Sequence, residues 1–434
     1  MIKRTPSDFQ VEEILSDELR GLSATSGPFA LYRLSKESLA TPEAIGRAAR
    51  ALNVPSGALA YAGLKDKHAS TIQHVTLKYG KDEGKSGGGE GAGEEAVEHS
   101  ESSPTQLPTL PVSHTASSAP EKASGAGWSI ERLGYLPRSI TSADIRRNRF
   151  RITIRNLSAE ECSDMDGAVK LLEVGAASSD IRVVNYFGDQ RFGSARHGRG
   201  FIARNLIKGD FEGALKLAIA TEARKDRMDQ KIFKRTVREK WGDWPALLQK
   251  LRPCAERKAI ERLVNSGGDF RAAFCALPYM LQQLSVYAYQ SYLWNAIAHR
   301  LVERFCTPNG RVLAVDDPFG EMLFPSSEAV SAEMAQLNLP LLARKTVLAE
   351  PWKECAEEVL KEEGIEVFEL HIQGVRRPFF GEEPRALFFT AEDFVLTHPQ
   401  ADESAKDKRR RKRTLTFSLP RGSYATVLLR ALSQ

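Results

Sequence analysis

Apolar residues in this chain follow two rhythms. In Thr71–Gly80 (TIQHVTLKYG), Ile72, Val75 and Leu77 recur at strand spacing. In Arg149–Leu157 (RFRITIRNL), Phe150, Ile152 and Ile154 alternate with polar residues, and this too reads as a strand. The two flank a long polar stretch and are expected to pair as arms of a hairpin with an expanded loop, because long surface loops add little closure entropy. Helical spacing appears at 164–175 and in GDFEGALKLAIATEARKDR, and most of Phe211–Leu301 is helical and charged. Residues 311–390 mix short strands and helices, with turn signals at Pro318, Gly320, Pro325 and Gly374. TLTFSLP reads as a late strand, and RGSYATVLLRAL as a glycine turn entering an apolar helix. There is no internal repeat. Strands at both ends with helices between predict an α+β protein whose central insertion splits one domain.

Composition narrows the class. The 434 residues suffice for roughly two to three domains. No apolar run approaches the roughly 18 residues of a membrane helix, so no membrane association is expected. MIKRTPSDF turns polar at once, which is not the pattern of a secretory signal. Five scattered cysteines (Cys162, Cys254, Cys275, Cys306, Cys355) never fall in a C-x-x-C spacing. That predicts neither a disulfide framework nor a zinc site, and fits a reducing cytoplasm. The eight histidines show no metal-ligand spacing, so no metal is expected.

Charge is uneven. Residues 81–127 are Gly, Ser, Glu and Pro with hardly any large apolar side chain, and carry three lysines against eight acidic residues. Such a stretch cannot bury enough surface to offset ordering entropy, and reads as a disordered acidic insert. Its YGKDEGKS is no phosphate loop, since Tyr79 stands where the first glycine must be, so no nucleotide cofactor is expected. The net charge is +5, so with −5 in the insert the remainder carries +10, which suits a polyanionic partner.

Five segments are candidates for chemistry. YAGLKDKHASTIQ places Asp66 between Lys65 and Lys67. Such a tripeptide is commonly a solvated turn; alternatively the lysines keep Asp66 ionised, as a nucleophile or base. Asp189 is the next carboxylate to consider, and His68 reads as a surface residue. NYFGDQRFG (Asn185–Gly193) is either a loop with Tyr186 and Phe187 packed inward or a base pocket, with an aromatic face to stack and an amide to read a nucleobase edge. QSYLWN (Gln290–Asn295) reads as the core face of a helix. The arginines of VRRPFFGEEPRAL (Arg376, Arg377, Arg385) read as solvated or as phosphate contacts, and KDKRRRKR (Lys406–Arg413) as a basic block before the last strand.

Taken in order, PSDFQVEE, AGLKDKHASTIQ, NYFGDQRFG, AYQSYLWN and LPRGSYATVLLR resemble the TruD family of pseudouridine synthases, from Lys3 to Arg430. The acidic insert and KDKRRRKR depart from the common pattern. The resemblance implies isomerisation of uridine to pseudouridine in tRNA, at uridine 13 in bacterial members, without cofactor. By the matching motif Asp66 would be the catalytic aspartate and Lys3 the active-site lysine beside it; Lys65 and Lys67 would then be available to phosphates. Phe9 and Tyr424 would contact the target nucleotide, Asn185 would hydrogen-bond the uracil and Phe187 would stack on it. The implied fold is an α+β catalytic domain with a mixed, mainly antiparallel sheet. Residues 1–210 and 386–434 would form it, interrupted by an inserted α/β domain at 211–385. Oligomeric state is not readable from the sequence, and a monomer is compatible with it. Two other readings stay open: the same chemistry on another RNA, and a non-catalytic RNA-binding protein of this fold. A retained Asp66 argues against the second.

Overall fold

Seven strands open the chain in the computed structural model, which describes residues 4–20, 26–78, 120–175, 179–195, 198–223 and 226–433. They are β1 (Phe9–Leu15), β2 (Phe29–Glu37), β3 (Leu59–Tyr61), β4 (Ser70–Lys78), β5 (Lys122–Gly125), β6 (Trp128–Leu136) and β7 (Ile145–Leu157). Together with the late strands Phe388–Leu396 and Arg411–Pro420 they form a sheet. Its order is β5-β6-β2-β4-β1-β7, then Arg411–Pro420, then Phe388–Leu396. Among these neighbours in the described residues only the β1–β4 pair is parallel, so the sheet is mixed and mainly antiparallel, as expected of the α+β class.

The expected β4–β7 hairpin is not formed. β1 lies between them, parallel to β4 from Gln10↔Ser70 to Glu12↔Ile72 and antiparallel to β7 from Phe9↔Ile152 to Leu15↔Ile145. The reason is in FQVEEIL, which buries every second residue, Phe9, Val11, Glu13 and Leu15, and so fits a central position. The C-terminal boundary of the acidic insert also changes. Residues 79–119 lie outside the described residues, but Lys122–Gly125 is a strand, paired with β6 from Lys122↔Glu131 to Gly125↔Trp128. KASG has no apolar alternation to announce a strand. What closes this hairpin is the two-residue link Ala126–Gly127, with Gly127 at φ +75°, a left-handed conformation glycine adopts without strain.

β2 shows how the sheet's faces are used. Ala30, Tyr32 and Leu34 point to one side, where the helix Thr41–Ala51 covers them with Ala44, Ile45 and Ala48. Leu31 points to the other side, onto Leu15, Leu136 and Ile145. Thus both faces of this strand are buried over most of its length.

The chain divides into two compact units, one of Met1–Ser163 with Ala391–Gly422, the other of Asp164–Thr390 with Ser423–Gln434. The second unit is mostly helical. Its longest helix, Tyr279–Phe305, buries Val286, Tyr289, Leu293, Trp294 and Ile297, so QSYLWN does face the core. GDFEGALKLAIATEARKDR is not one helix. Helix Phe211–Ile219 starts on an Asp210 cap that accepts from the Gly213 N–H at 2.8 Å, and the next helix begins at Met228. The helix Ala425–Leu432 closes this unit. Among the described residues, no helix is long and apolar enough to cross a membrane.

Candidate active site

Asp66 lies half-buried in the turn between β3 and β4, within the first unit. Three elements hold that turn directly, and β4 braces one of them. Lys36 of β2 donates from Nζ to the Asp66 carbonyl at 2.7 Å and the Lys65 carbonyl at 3.4 Å. Thr41, opening the helix Thr41–Ala51, accepts from the Lys65 N–H at 3.0 Å, and its hydroxyl donates to Gln73 Oε1 of β4 at 3.1 Å. Glu13 of β1 ion-pairs with Lys65 Nζ at 2.6 Å. Lys65 is therefore turned inward onto a carboxylate, not outward toward phosphates. Lys67 and His68 are exposed, and His68 is the surface residue its position suggested.

Electrostatics follow from this burial. Burial alone would raise Glu13, but hydrogen bonds with His74 together with the charge and hydrogen bond of Lys65 bring it below the usual carboxylate range. Lys36 is only 2% exposed. Burial pulls its ammonium down to about 8, against the opposing pull of the Asp66 charge. The turn thus carries a half-buried carboxylate with a buried cation behind its backbone. Lys3 lies outside the described residues. Phe9, the first residue of β1, is buried edge-on to Phe150 with centroids 6.2 Å apart.

The other candidate residues lie in the second unit, in the loop NYFGDQRFG. Both Tyr186 and Phe187 pack inward. Tyr186 donates to the Leu323 carbonyl and accepts from the Leu323 N–H, and burial raises its phenol. Phe187 is 4% exposed, and Asn295 of QSYLWN clamps its backbone, accepting from its N–H at 2.8 Å and donating to its carbonyl at 3.0 Å. That helix motif is therefore both core and scaffold of the loop. Gly188 lets the loop close on the last helix, since a Cβ there would sit 3.1 Å from the Thr426 hydroxyl. Asp189 is paired with Arg430 at 2.9 Å.

Arg385 completes this cluster, and it is not a solvated arginine. Its Nη2 donates to Asn185 Oδ1 at 2.6 Å and its Nε to the Asn185 carbonyl at 2.9 Å. The guanidinium lies over the Phe187 ring, 4.0 Å from its centroid, with the Trp294 and Tyr424 rings at 5.3 and 5.7 Å. Burial draws Arg385 down to about 10. Arg191 lies over the same phenyl ring at 5.2 Å. Asn185 also donates from Nδ2 to the Ala386 carbonyl at 3.1 Å. An amide oxygen has two lone pairs and an amide nitrogen two hydrogens, so these bonds leave Asn185 capacity for one more of each. Asn185, Phe187 and Tyr424 are thus brought together, with Arg385 among them. Sequence reading passed over Lys36, and it took Arg385 as solvated or as a phosphate contact, with no signal of its place against Phe187. Lys36 stands where the buried face of β2 calls for an apolar side chain, after Ala30, Tyr32 and Leu34, and that break is a readable signal. Arg385 carried none, sitting among Gly, Glu and Pro.

The chain is similar to known proteins over nearly its whole length. The family model for tRNA pseudouridine synthase D (TruD) matches residues 1–85 and 111–432, leaving out only part of the acidic insert and the last two residues. A probable tRNA pseudouridine synthase D 2 of Methanocaldococcus jannaschii is 28% identical, over 99% of this chain and 90% of its own. The tRNA pseudouridine synthase D of Aquifex aeolicus is 27% identical over 99% and 97%. In fold, the chain is similar to the crystal structure of a putative tRNA pseudouridine synthase D from Methanosarcina mazei. The TM-score is 0.68 at 23% identity, covering 100% of this chain and 93% of that one.

Proposed function

Because this chain belongs to the TruD family of tRNA pseudouridine synthases, and so isomerises uridine to pseudouridine in tRNA, we propose that Asp66 is the carboxylate that carries the reaction and that uridine 13 is its target. The N1–C1′ bond breaks, the uracil turns, C5 bonds to C1′, and the C5 proton is lost while N1 gains one. Asp66 drives the cleavage either as nucleophile or as base. The rearrangement stays within one nucleotide, so we propose no cofactor. The observation that carries this reading is the anchoring of the Lys65–Asp66 turn by side chains from three elements, Lys36, Thr41 and Glu13, far more restraint than a solvated K-D-K loop needs.

Lys3 is the proposed cation beside the carboxylate. Asn185 would hydrogen-bond the uracil edge, Phe187 would stack on the ring, and Phe9 and Tyr424 would contact the target nucleotide. For Phe187 the stacked face is the one Arg385 covers, so Arg385 swings aside as the base enters. The target leaves its own stack first, at a cost of a few kcal/mol that phosphate contacts on the basic body offset. We take residues 211–385 as the inserted domain, a monomer as the working unit and the cytoplasm as its location.

The test is Asp66→Asn. The amide nearly matches the carboxylate in size but is a far poorer nucleophile and base. Conversion of tRNA uridine under single-turnover conditions is expected to stop, while filter retention shows tRNA affinity preserved. Conversion near the parent rate would remove Asp66 from the chemistry. Mapping pseudouridine in cellular RNA with and without the protein tests the choice of uridine 13.

A further inference from the structure

Lys36 is a charge where a strand core should be. On β2 the residues sharing its face, Ala30, Tyr32 and Leu34, are fully buried and apolar. Lys36 continues that series and is itself buried, paired in register with Thr71 of β4 and Trp128 of β6. Holding an ammonium there is unfavourable unless it is compensated, and an apolar residue of similar length would fit the pattern better. The compensation the structure provides is specific: the two hydrogen bonds go to the carbonyls of Lys65 and Asp66.

Those two carbonyls belong to the peptide planes on either side of the Asp66 Cα. Fixing both planes fixes the Cα–Cβ direction, and with it the cone in which the carboxylate can lie. Thr41 holds the preceding Leu64–Lys65 plane through the Lys65 N–H, and Glu13 holds the Lys65 side chain away. We propose that Lys36 is a positioning residue for the isomerisation: from behind the turn, its buried ammonium sets the direction of the Asp66 carboxylate and keeps a positive charge beside it. This rests on the reading of Asp66 given above. Lys36 reaches the reaction through Asp66's backbone and field, and is not itself assigned a bond to the uridine.

The field supports the geometry. The Asp66 charge pulls the Lys36 ammonium back toward its protonated form, so the attraction is mutual. A group that sets direction acts on the chemical step and not on tRNA capture, which depends on phosphate contacts over a wide surface.

The test compares Lys36→Met and Lys36→Gln with Asp66→Asn in the full chain, using tRNA as substrate. Lys36→Met keeps the length and removes the charge and the donors. Lys36→Gln keeps a donor without the charge. Both are expected to slow single-turnover conversion at saturating tRNA by roughly 10- to 100-fold, the range a misdirected reactive group causes, with tRNA affinity and melting temperature close to the parent. Parent-like conversion by Lys36→Met, beside a dead Asp66→Asn, would overturn the role of Lys36 and leave that of Asp66 standing. Rate, affinity and melting temperature falling together in both Lys36 variants would make Lys36 a structural residue only. Should Lys36→Met fail to fold, Lys36→Gln alone decides by the same criteria. An active Asp66→Asn would remove both the reading and the inference.

Discussion

At the scale of single residues, Phe187 carries two loads. It is expected to stack on the target uracil, and it is also buried in the loop core among Trp294, Arg385 and Tyr424. Replacing it with alanine would open a cavity at a cost of about 3–5 kcal/mol and confuse the two roles. Phe187→Leu keeps most of the volume and removes the ring. Stacking contributes roughly 1–3 kcal/mol per base, so single-turnover conversion should fall by roughly 10- to 100-fold without stopping. Thermal melting is the control, and an unchanged rate would take Phe187 out of base recognition. Asp66 could be singled out in the sequence because three unusual features, the two lysines and a nearby glycine, cluster around it. The arginine over Phe187 could not, because guanidinium–phenyl contact across about two hundred residues leaves no local trace.

At the scale of elements, the basic block Lys406–Arg413 turns out to serve the fold as much as the surface. Its last three residues begin the strand Arg411–Pro420. Arg413 is buried and donates to the carbonyls of Thr397 and Cys162, at 2.9 and 2.8 Å, while Lys412 pairs with Glu403 at 2.6 Å. Sequence composition cannot separate an arginine that clamps carbonyls from one that faces solvent, which is why the block read as uniform. Arg409 and the residues just before it remain exposed. Changing Arg409, Arg410 and Arg411 together to Ala should weaken tRNA binding and flatten its salt dependence, because fewer counterions are released, with turnover at saturating tRNA little altered. An unchanged salt slope would take these three residues out of the RNA footprint.

Next to the block, Arg155 of β7 joins Asp8 at 3.0 Å and Asp402 at 3.1 Å, and Asp402 accepts the Asn156 N–H at 2.9 Å. Burial would raise Asp402, but hydrogen bonds from Ser404, Asn156 and Arg155 hold it down to about 2. The folded chain therefore releases this proton more readily than the unfolded one. Its stabilising contribution is complete above the ordinary value of 3.8 and is lost as pH falls toward 2. Asp402→Asn should lower the melting temperature at pH 7 and reduce the loss of stability between pH 4 and 2, as measured by thermal melts across about that range. Equal melting of the two proteins at neutral pH would count against the hub.

For the whole molecule, the α+β class was legible, because strand rhythms at both ends enclose a helical middle. Not legible was a strand such as Lys122–Gly125, which is defined by its partner and not by its own residues. The strand decides where a deletion of the acidic stretch can end. Replacing residues 81–119 with a short Gly/Ser linker should leave melting temperature and turnover nearly unchanged, whereas carrying the deletion on to 127 removes β5 and its glycine turn and should lower the melting temperature. If the shorter deletion already costs stability or rate, the acidic stretch packs or guides substrate.

The sheet of the first unit also imposes an order on synthesis. β7 pairs with Arg411–Pro420 from Leu157↔Arg411 to Arg147↔Pro420, so its partner emerges from the ribosome only some 250 residues later. At translation rates of roughly 5–20 residues per second, β7 waits many seconds with one hydrogen-bonding edge open. A nascent chain in that interval offers a thirteen-residue strand to any neighbour. Yield in a cell should therefore depend on chaperone supply and growth temperature more than the stability of the finished protein would suggest.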